Sequence, residues 1–144
     1  MTTPGPSHWR ILCAALAGLV LASAAQAQPA STVLQCQVRY MSQTLSFDTL
    51  PTDQPYAVTS HDIAERFRFK AVVVGTPSQV DHIALYAYDM SVPNAPVLVH
   101  EVVHKPPFAL DRPLPGLTGW NHIYSSRLGR EMVYGCALTQ RPAP

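Results

Sequence analysis

Apolar and polar residues alternate along several short segments of this chain. From Leu34 to Tyr40, every second residue is apolar or cysteine and the residues between them are polar. A period of two is typical of a strand with one buried face. This alternation, together with segments rich in β-branched and aromatic residues between turn signals, predicts seven short strands, at Val33–Met41, Thr44–Phe47, Phe67–Val73, Val80–Asp89, Val97–His104, Trp120–Tyr124 and Glu131–Thr139.

Turn-forming residues separate most of these segments, and nearly all prolines beyond residue 27 fall between predicted strands. Asp48–Ser60, with two prolines, is predicted to be a loop, and Asp62–Glu65 fits a capping box that predicts a short helical turn. No segment has the pattern of an amphipathic helix. We therefore expect an all-β fold, a single small antiparallel β-sandwich of about seven strands, with an open β-barrel as the alternative.

The N-terminal segment has the features of a secretory signal peptide. Arg10 supplies a positive charge, Ile11–Ala22 is an apolar run, and Ala25-Gln26-Ala27 is a small-residue cleavage site. The apolar run is shorter than the roughly 20 residues needed to span a membrane, so no transmembrane segment is expected. The domains are thus predicted as residues 1–27, signal peptide, and 28–144, one β-sandwich domain, in a periplasmic or secreted protein.

The charge balance argues against one class of partner. Loss of Arg10 from the ten Lys and Arg residues leaves them equal in number to the nine Asp and Glu residues. A nucleic-acid-binding protein normally shows a clear basic excess, so we expect no nucleic-acid partner.

Two of the three cysteines lie beyond the predicted cleavage site. Cys36 and Cys136 each fall on the apolar face of a predicted strand, the first and the last. An even number of cysteines in an exported chain predicts a disulfide, which here would link those two strands. Two buried free thiols or a metal-binding thiol pair are the alternatives.

The stretch His100-Glu101-Val102-Val103-His104 matches the H-E-x-x-H motif of zinc hydrolases. That motif requires a helix, because residues four apart on a helix lie side by side and can reach one metal ion. The valines here and the prolines that follow, Pro106 and Pro107, favour a strand instead. On a strand the two histidines would lie roughly 13 Å apart. We therefore expect no catalytic activity from this motif.

Histidines on adjacent strands offer a second metal hypothesis. His82 or His122 could meet His100 or His104 across a sheet, where cross-strand neighbours are about 5 Å apart. Imidazole ligands suit Zn or Cu. The alternative is that these histidines are ordinary sheet residues, since no Cys-His cluster or i,i+2 histidine pair is present.

Aromatic and basic residues supply a candidate ligand-binding surface. Tyr86 and Tyr88 share one face of a strand, and Trp120 and Tyr124 share one face of another. If these faces are exposed, the aromatic rings would form a ligand platform. If the faces are buried, the rings would belong to the core. The basic residues Arg66 and Arg68, with Lys70, would either grip an acidic ligand or form the solvated face of a strand near a sheet edge.

These patterns favour an exported, non-catalytic binding or structural protein with an unidentified protein or small-molecule partner and no cofactor. The alternative is a periplasmic protein that binds Zn or Cu through the cross-strand histidines. No Walker, Rossmann or nucleophile-elbow motif is present, and the cysteines do not form C-x-x-C.

Overall fold

Two β-sheets pack face to face in the computed structural model of this chain, which describes residues 1–2, 30–92, 94–127 and 129–142. Apart from its first two residues, the predicted signal peptide lies outside the described residues. The first sheet has the strand order β2-β1-β9-β8, formed by Gln43–Thr49, Ala30–Tyr40, Arg130–Pro142 and Asn121–Ser125. The second has the order β3-β5-β6-β7, formed by Pro51–Thr52, Phe67–Thr76, Gln79–Asp89 and Val97–His104, while β4, His61–Ile63, pairs with β5.

The β-sandwich prediction is confirmed, and all seven predicted strands are present. Strand β7 has the predicted bounds, and the other six differ only at their ends. Neighbouring strands are antiparallel except β3 and β5, which are parallel. The described residues hold nine strands, which are the seven predicted ones and two short ones, β3 and β4, that were not predicted.

Both missed strands lie between β2 and β5. The predicted loop at Asp48–Ser60 contains β3 and a short 3-10 helix, Pro55–Ala57. The predicted helical turn at Asp62–Glu65 is wrong: residues 61–63 form β4, and Ala64 and Glu65 adopt left-handed backbone angles that reverse the chain into β5. The Asp62 carboxylate does accept a hydrogen bond from the Glu65 amide, as in a capping box, but the bond closes a hairpin turn.

The core lies between the sheets and follows the alternation of the sequence. Along β1 the even-numbered residues from Leu34 to Tyr40 point inward, as do the odd-numbered residues from Phe67 to Val73 on β5 and from Ile83 to Asp89 on β6. The largest fully buried side chains come from both sheets: Tyr134, Phe67, Phe69, Leu34, Ile63, Ile83, Leu85, Met132 and Leu138. Removal of this apolar surface from water is the main force that holds the sheets together.

The Cys36–Cys136 disulfide is present in this core and links the first and last strands. The two cysteines are direct cross-strand partners in the β1–β9 pairing, and their Cα atoms are 4.1 Å apart. Both are almost fully buried. The bond therefore joins two adjacent strands within one sheet.

Among the described residues, side-chain hydrogen bonds join the two sheets at two places. His100 Nε2 on β7 lies 2.8 Å from the Tyr134 hydroxyl on β9. At another point, the Ser125 hydroxyl on β8 donates to the buried carboxylate of Asp89 on β6, which also accepts from the Ser91 amide. These hydrogen bonds satisfy polar groups that the packing of the sheets removes from water.

Candidate functional site

A groove lies on the outer face of the second sheet, along the middle strands β5 and β6. Residues that point outward from these strands face each other in register: Arg68 opposite Tyr88, Lys70 opposite Tyr86, Val72 opposite Ala84 and Val74 opposite His82. The alternation that sends the phenylalanines of β5 into the core sends these eight side chains outward. The face carries a basic and aromatic end and a more apolar end.

The groove consists of two adjoining depressions. The larger, of about 450 Å³, is lined by the outward residues from Lys70 to Val74 and from His82 to Tyr88, with Pro55 and Tyr56 of the 3-10 helix at its side. The smaller, of about 230 Å³, is lined by Val58, Ser60, Arg68, Lys70, Tyr88 and Pro96. Because Lys70 and Tyr88 line both depressions, the two form one elongated groove.

Tyrosine side chains form much of the accessible wall. The rings of Tyr86 and Tyr88 are near-parallel, with centroids 6.5 Å apart, and both are half-buried. Tyr56 is 99% exposed at the rim. Burial raises the pKa of Tyr86, and the negative charge of Glu101, its cross-strand neighbour on β7, raises it further. The Tyr86 phenol is therefore a neutral hydrogen-bonding group at physiological pH.

Neither cation of the groove is in an ion pair with another described residue, although Asp62 on β4 is the cross-strand neighbour of Arg68. The ion pairs of the described residues join His122 to Glu131 and Arg141 to Asp48, all remote from the groove. Arg68 is exposed and Lys70 is half-buried. A guanidinium and an ammonium group in this position can each bind an anionic group of a ligand without first breaking an internal salt bridge.

The structure brings together only some of the predicted ligand residues. Tyr86, Tyr88 and Arg68 line the groove, whereas Arg66 lies in the turn before β5. Trp120 and Tyr124 lie on the outer side of the first sheet, away from the groove. Strand β5, which carries Arg68 and Lys70, lies near a sheet edge, because the strands on that side of it in the described structure are the short β3 and β4.

Trp120 and Tyr124 occupy different environments on that opposite sheet. The guanidinium of Arg39 lies 4.0 Å from the centre of the Trp120 ring. Trp120 also packs so closely over Gly135 that any Cβ there would lie 2.8 Å from the ring. Trp120 thus makes structural contacts within the sheet, while Tyr124 is 63% exposed. Neither residue lines the groove of the second sheet.

The H-E-x-x-H stretch lies on β7, as predicted. Glu101 is opposite Tyr86 and points outward, while His100 and His104 are opposite the inward residues Ala87 and Ile83. Four residues of extended chain separate the two imidazoles by roughly 13 Å. The helical geometry that gives this motif its zinc chemistry is therefore absent from β7.

The predicted convergence of histidines from neighbouring strands does not occur. His82 lies on the outer face of the second sheet, whereas His100 and His104 lie on its inner face. His122 is on the first sheet, exposed and 3.0 Å from a Glu131 carboxylate oxygen. Within the described residues, no three His, Cys, Asp or Glu side chains are grouped closely enough to hold a metal ion.

Several residues that complete the groove could not be identified from the sequence. Tyr56 follows a proline in a segment predicted to be only a loop, and no periodicity marked it as a neighbour of β5. The sequence indicated His82 only as a candidate metal ligand, not as part of a groove. The floor residues Val72 and Ala84 are signalled by their even positions on strands whose odd positions are buried. The fold-back of residues 55–60 over β5 is a tertiary feature that local patterns do not encode.

The part of the chain described by the structure includes no helix with the length and hydropathy required to cross a bilayer. Comparisons of this chain with protein-family models, curated proteins and solved structures give no match.

Proposed function

We propose that this protein is an exported, non-catalytic binding protein whose ligand occupies the groove on the outer face of the second sheet. The observation that carries the proposal is the convergence of three tyrosines, Tyr56, Tyr86 and Tyr88, with the two cations Arg68 and Lys70. A concave surface with aromatic walls and a few polar groups is the usual form of a ligand site.

Two features support export. The N-terminal segment has the order of charge, apolar run and small-residue site found in secretory signals. A buried disulfide joins the first and last strands, and such bonds form and persist in oxidising compartments. Both features agree with the periplasm or the extracellular space as the place of action.

A fragment screen by two-dimensional NMR tests the proposed site while the natural ligand is still unidentified. Fragments of mixed chemistry should shift amide signals of β5 and β6 near Arg68, Tyr86 and Tyr88 more than any other signals, because binding energy concentrates in concave sites. A Tyr86→Ala/Tyr88→Ala double variant should lose most of these shifts.

The matched control is Tyr124→Ala, which removes an exposed tyrosine from the opposite sheet. Its fragment shifts should equal those of the unmodified protein. The proposal is wrong if the fragments bind elsewhere, if none binds, or if the double variant keeps its native fold and its full set of shifts.

A further inference from the structure

The arrangement of rings and cations in the groove repeats along the strands. Arg68 faces Tyr88, and two residues further along β5 Lys70 faces Tyr86. Each pair is one cation beside one aromatic ring, and cross-strand partners have Cβ atoms about 5 Å apart. Successive pairs lie roughly 7 Å apart along the strands. The groove thus presents the same two chemical groups twice, in line.

Such a repeat suits a linear ligand that carries one ring and one anion per unit. The C–H face of a sugar ring packs on an aromatic ring, and a carboxylate accepts charged hydrogen bonds from Arg or Lys. The two depressions adjoin at Lys70 and Tyr88, so an extended ligand can occupy both. The two successive cation–tyrosine pairs therefore match an oligomer better than a single small molecule.

The lining of the groove is mixed, and its polar groups suit a ligand that carries hydroxyls as well as rings. Val72 and Ala84 form the floor and are each only 3% exposed, so a ligand would contact mainly the side walls. The accessible polar groups are phenol, guanidinium, ammonium, imidazole and the Ser60 hydroxyl, and apolar side chains, such as those of Val58 and Val74, line the sides. On the far side of the tyrosines, Glu101 offers a carboxylate that can accept hydrogen bonds from ligand hydroxyls and repels an anion.

We infer that the groove binds an acidic oligosaccharide of the uronic-acid type, with two successive sugar rings on Tyr86 and Tyr88 and their carboxylates on Lys70 and Arg68. This inference rests on the proposed function, because it names the ligand class of the same site. The carboxylates face β5, and the hydroxyl edge of the sugars faces β7 and Glu101.

Calorimetric titration with tetragalacturonate tests this assignment. Its fully methyl-esterified form has the same rings without the negative charges and is the matched ligand control. We expect tetragalacturonate to bind at least tenfold more tightly than the ester, and its affinity to fall as salt rises from 20 to 300 mM, roughly as charge screening predicts.

Two single variants test the position of the ligand. Arg68→Ala should weaken tetragalacturonate binding by about five- to tenfold, because one charge-assisted contact in a solvent-accessible groove is lost. Arg130→Ala removes an exposed arginine of β9 and should leave the affinity unchanged. Circular dichroism confirms that both variants keep the native fold.

The remaining arms separate failure of this inference from failure of the proposed function. Decanoate, maltotetraose and an eight-residue oligothymidylate are titrated in parallel. A contrary outcome is that one of these three ligands binds in a Tyr86-dependent manner, either while tetragalacturonate does not bind or more tightly than tetragalacturonate does. Either result would show that the uronic-acid assignment is wrong and that the groove remains a ligand site. Equal binding of the methyl ester also overturns the assignment. If none of the four ligands binds and the fragment screen finds no binding in the groove, the uronic-acid assignment and the proposed function are both wrong.

Discussion

At the scale of single residues, the inner face of β7 carries a polar atom that lacks a partner among the described residues. His104 Nε2 is buried and makes no hydrogen bond with them, whereas His100 Nε2 on the same face bonds to the Tyr134 hydroxyl. Burial lowers the pKa of both histidines. It also raises the pKa of Tyr134 to about 12, so this phenol stays neutral at physiological pH.

A leucine at position 104 should stabilise the protein. His104→Leu removes an unsatisfied buried nitrogen and retains an apolar contact with the core, so we expect about 1 kcal/mol more free energy of unfolding at pH 7.5. His122→Leu, at an exposed position, is the control and should give no increase. Urea denaturation measures both, and an unchanged or lower value for His104→Leu would contradict the expectation.

The same substitution should change the dependence of stability on pH. Because the folded-state pKa of His104 lies below that of the unfolded chain, the unfolded state binds more protons once the pH falls below about 6.5. The native protein then loses stability as the pH is lowered from 7 to 5. His104→Leu lacks this contribution, so its advantage should widen over that range.

At the scale of strands, the sheet positions could be predicted better than the connections between them. The seven longer strands show either a period of two or a concentration of β-branched and aromatic residues, and both are local features of the sequence. Strands β3 and β4 are two and three residues long and exist because they pair with β5. The Asp62–Glu65 segment shows the same limit, because its local hydrogen bond is compatible with either a helix or a hairpin turn.

The disulfide between β1 and β9 should contribute several kcal/mol to the free energy of unfolding. Its two cysteines are 100 residues apart in sequence, so the bond removes much of the freedom of the unfolded chain. Cys36→Ala/Cys136→Ala should lower the free energy of unfolding by about 4 kcal/mol, with a further loss from the cavity left in the core.

A Cys36→Val/Cys136→Val variant separates these two effects, since valine refills much of the volume without forming the bond. Its stability should lie between those of the alanine variant and the native protein in urea denaturation. If the valine variant equals the native protein, cross-linking contributes nothing measurable.

At the scale of the whole molecule, the proposed export makes a prediction about the mature chain. Expressed with its complete N-terminus in a bacterium that has a periplasm, the protein should begin at Gln28 and carry one disulfide, because cleavage would follow Ala27. Intact-mass measurement of the periplasmic fraction, before and after reduction, checks both features. A full-length cytoplasmic protein with free thiols would contradict the proposal.

The local pattern of apolar, β-branched and turn-forming residues by itself determined the all-β class, the positions of the seven longer strands and the inward direction of both cysteines, because each depends on features that local sequence carries. The sheet order and the direction in which each aromatic face points were decided only by the tertiary structure. Tyr86–Tyr88 and Trp120–Tyr124 have similar patterns, yet packing places them on opposite sides of the sandwich. The groove exists because residues 55–60 fold over β5, a long-range contact that no local period records.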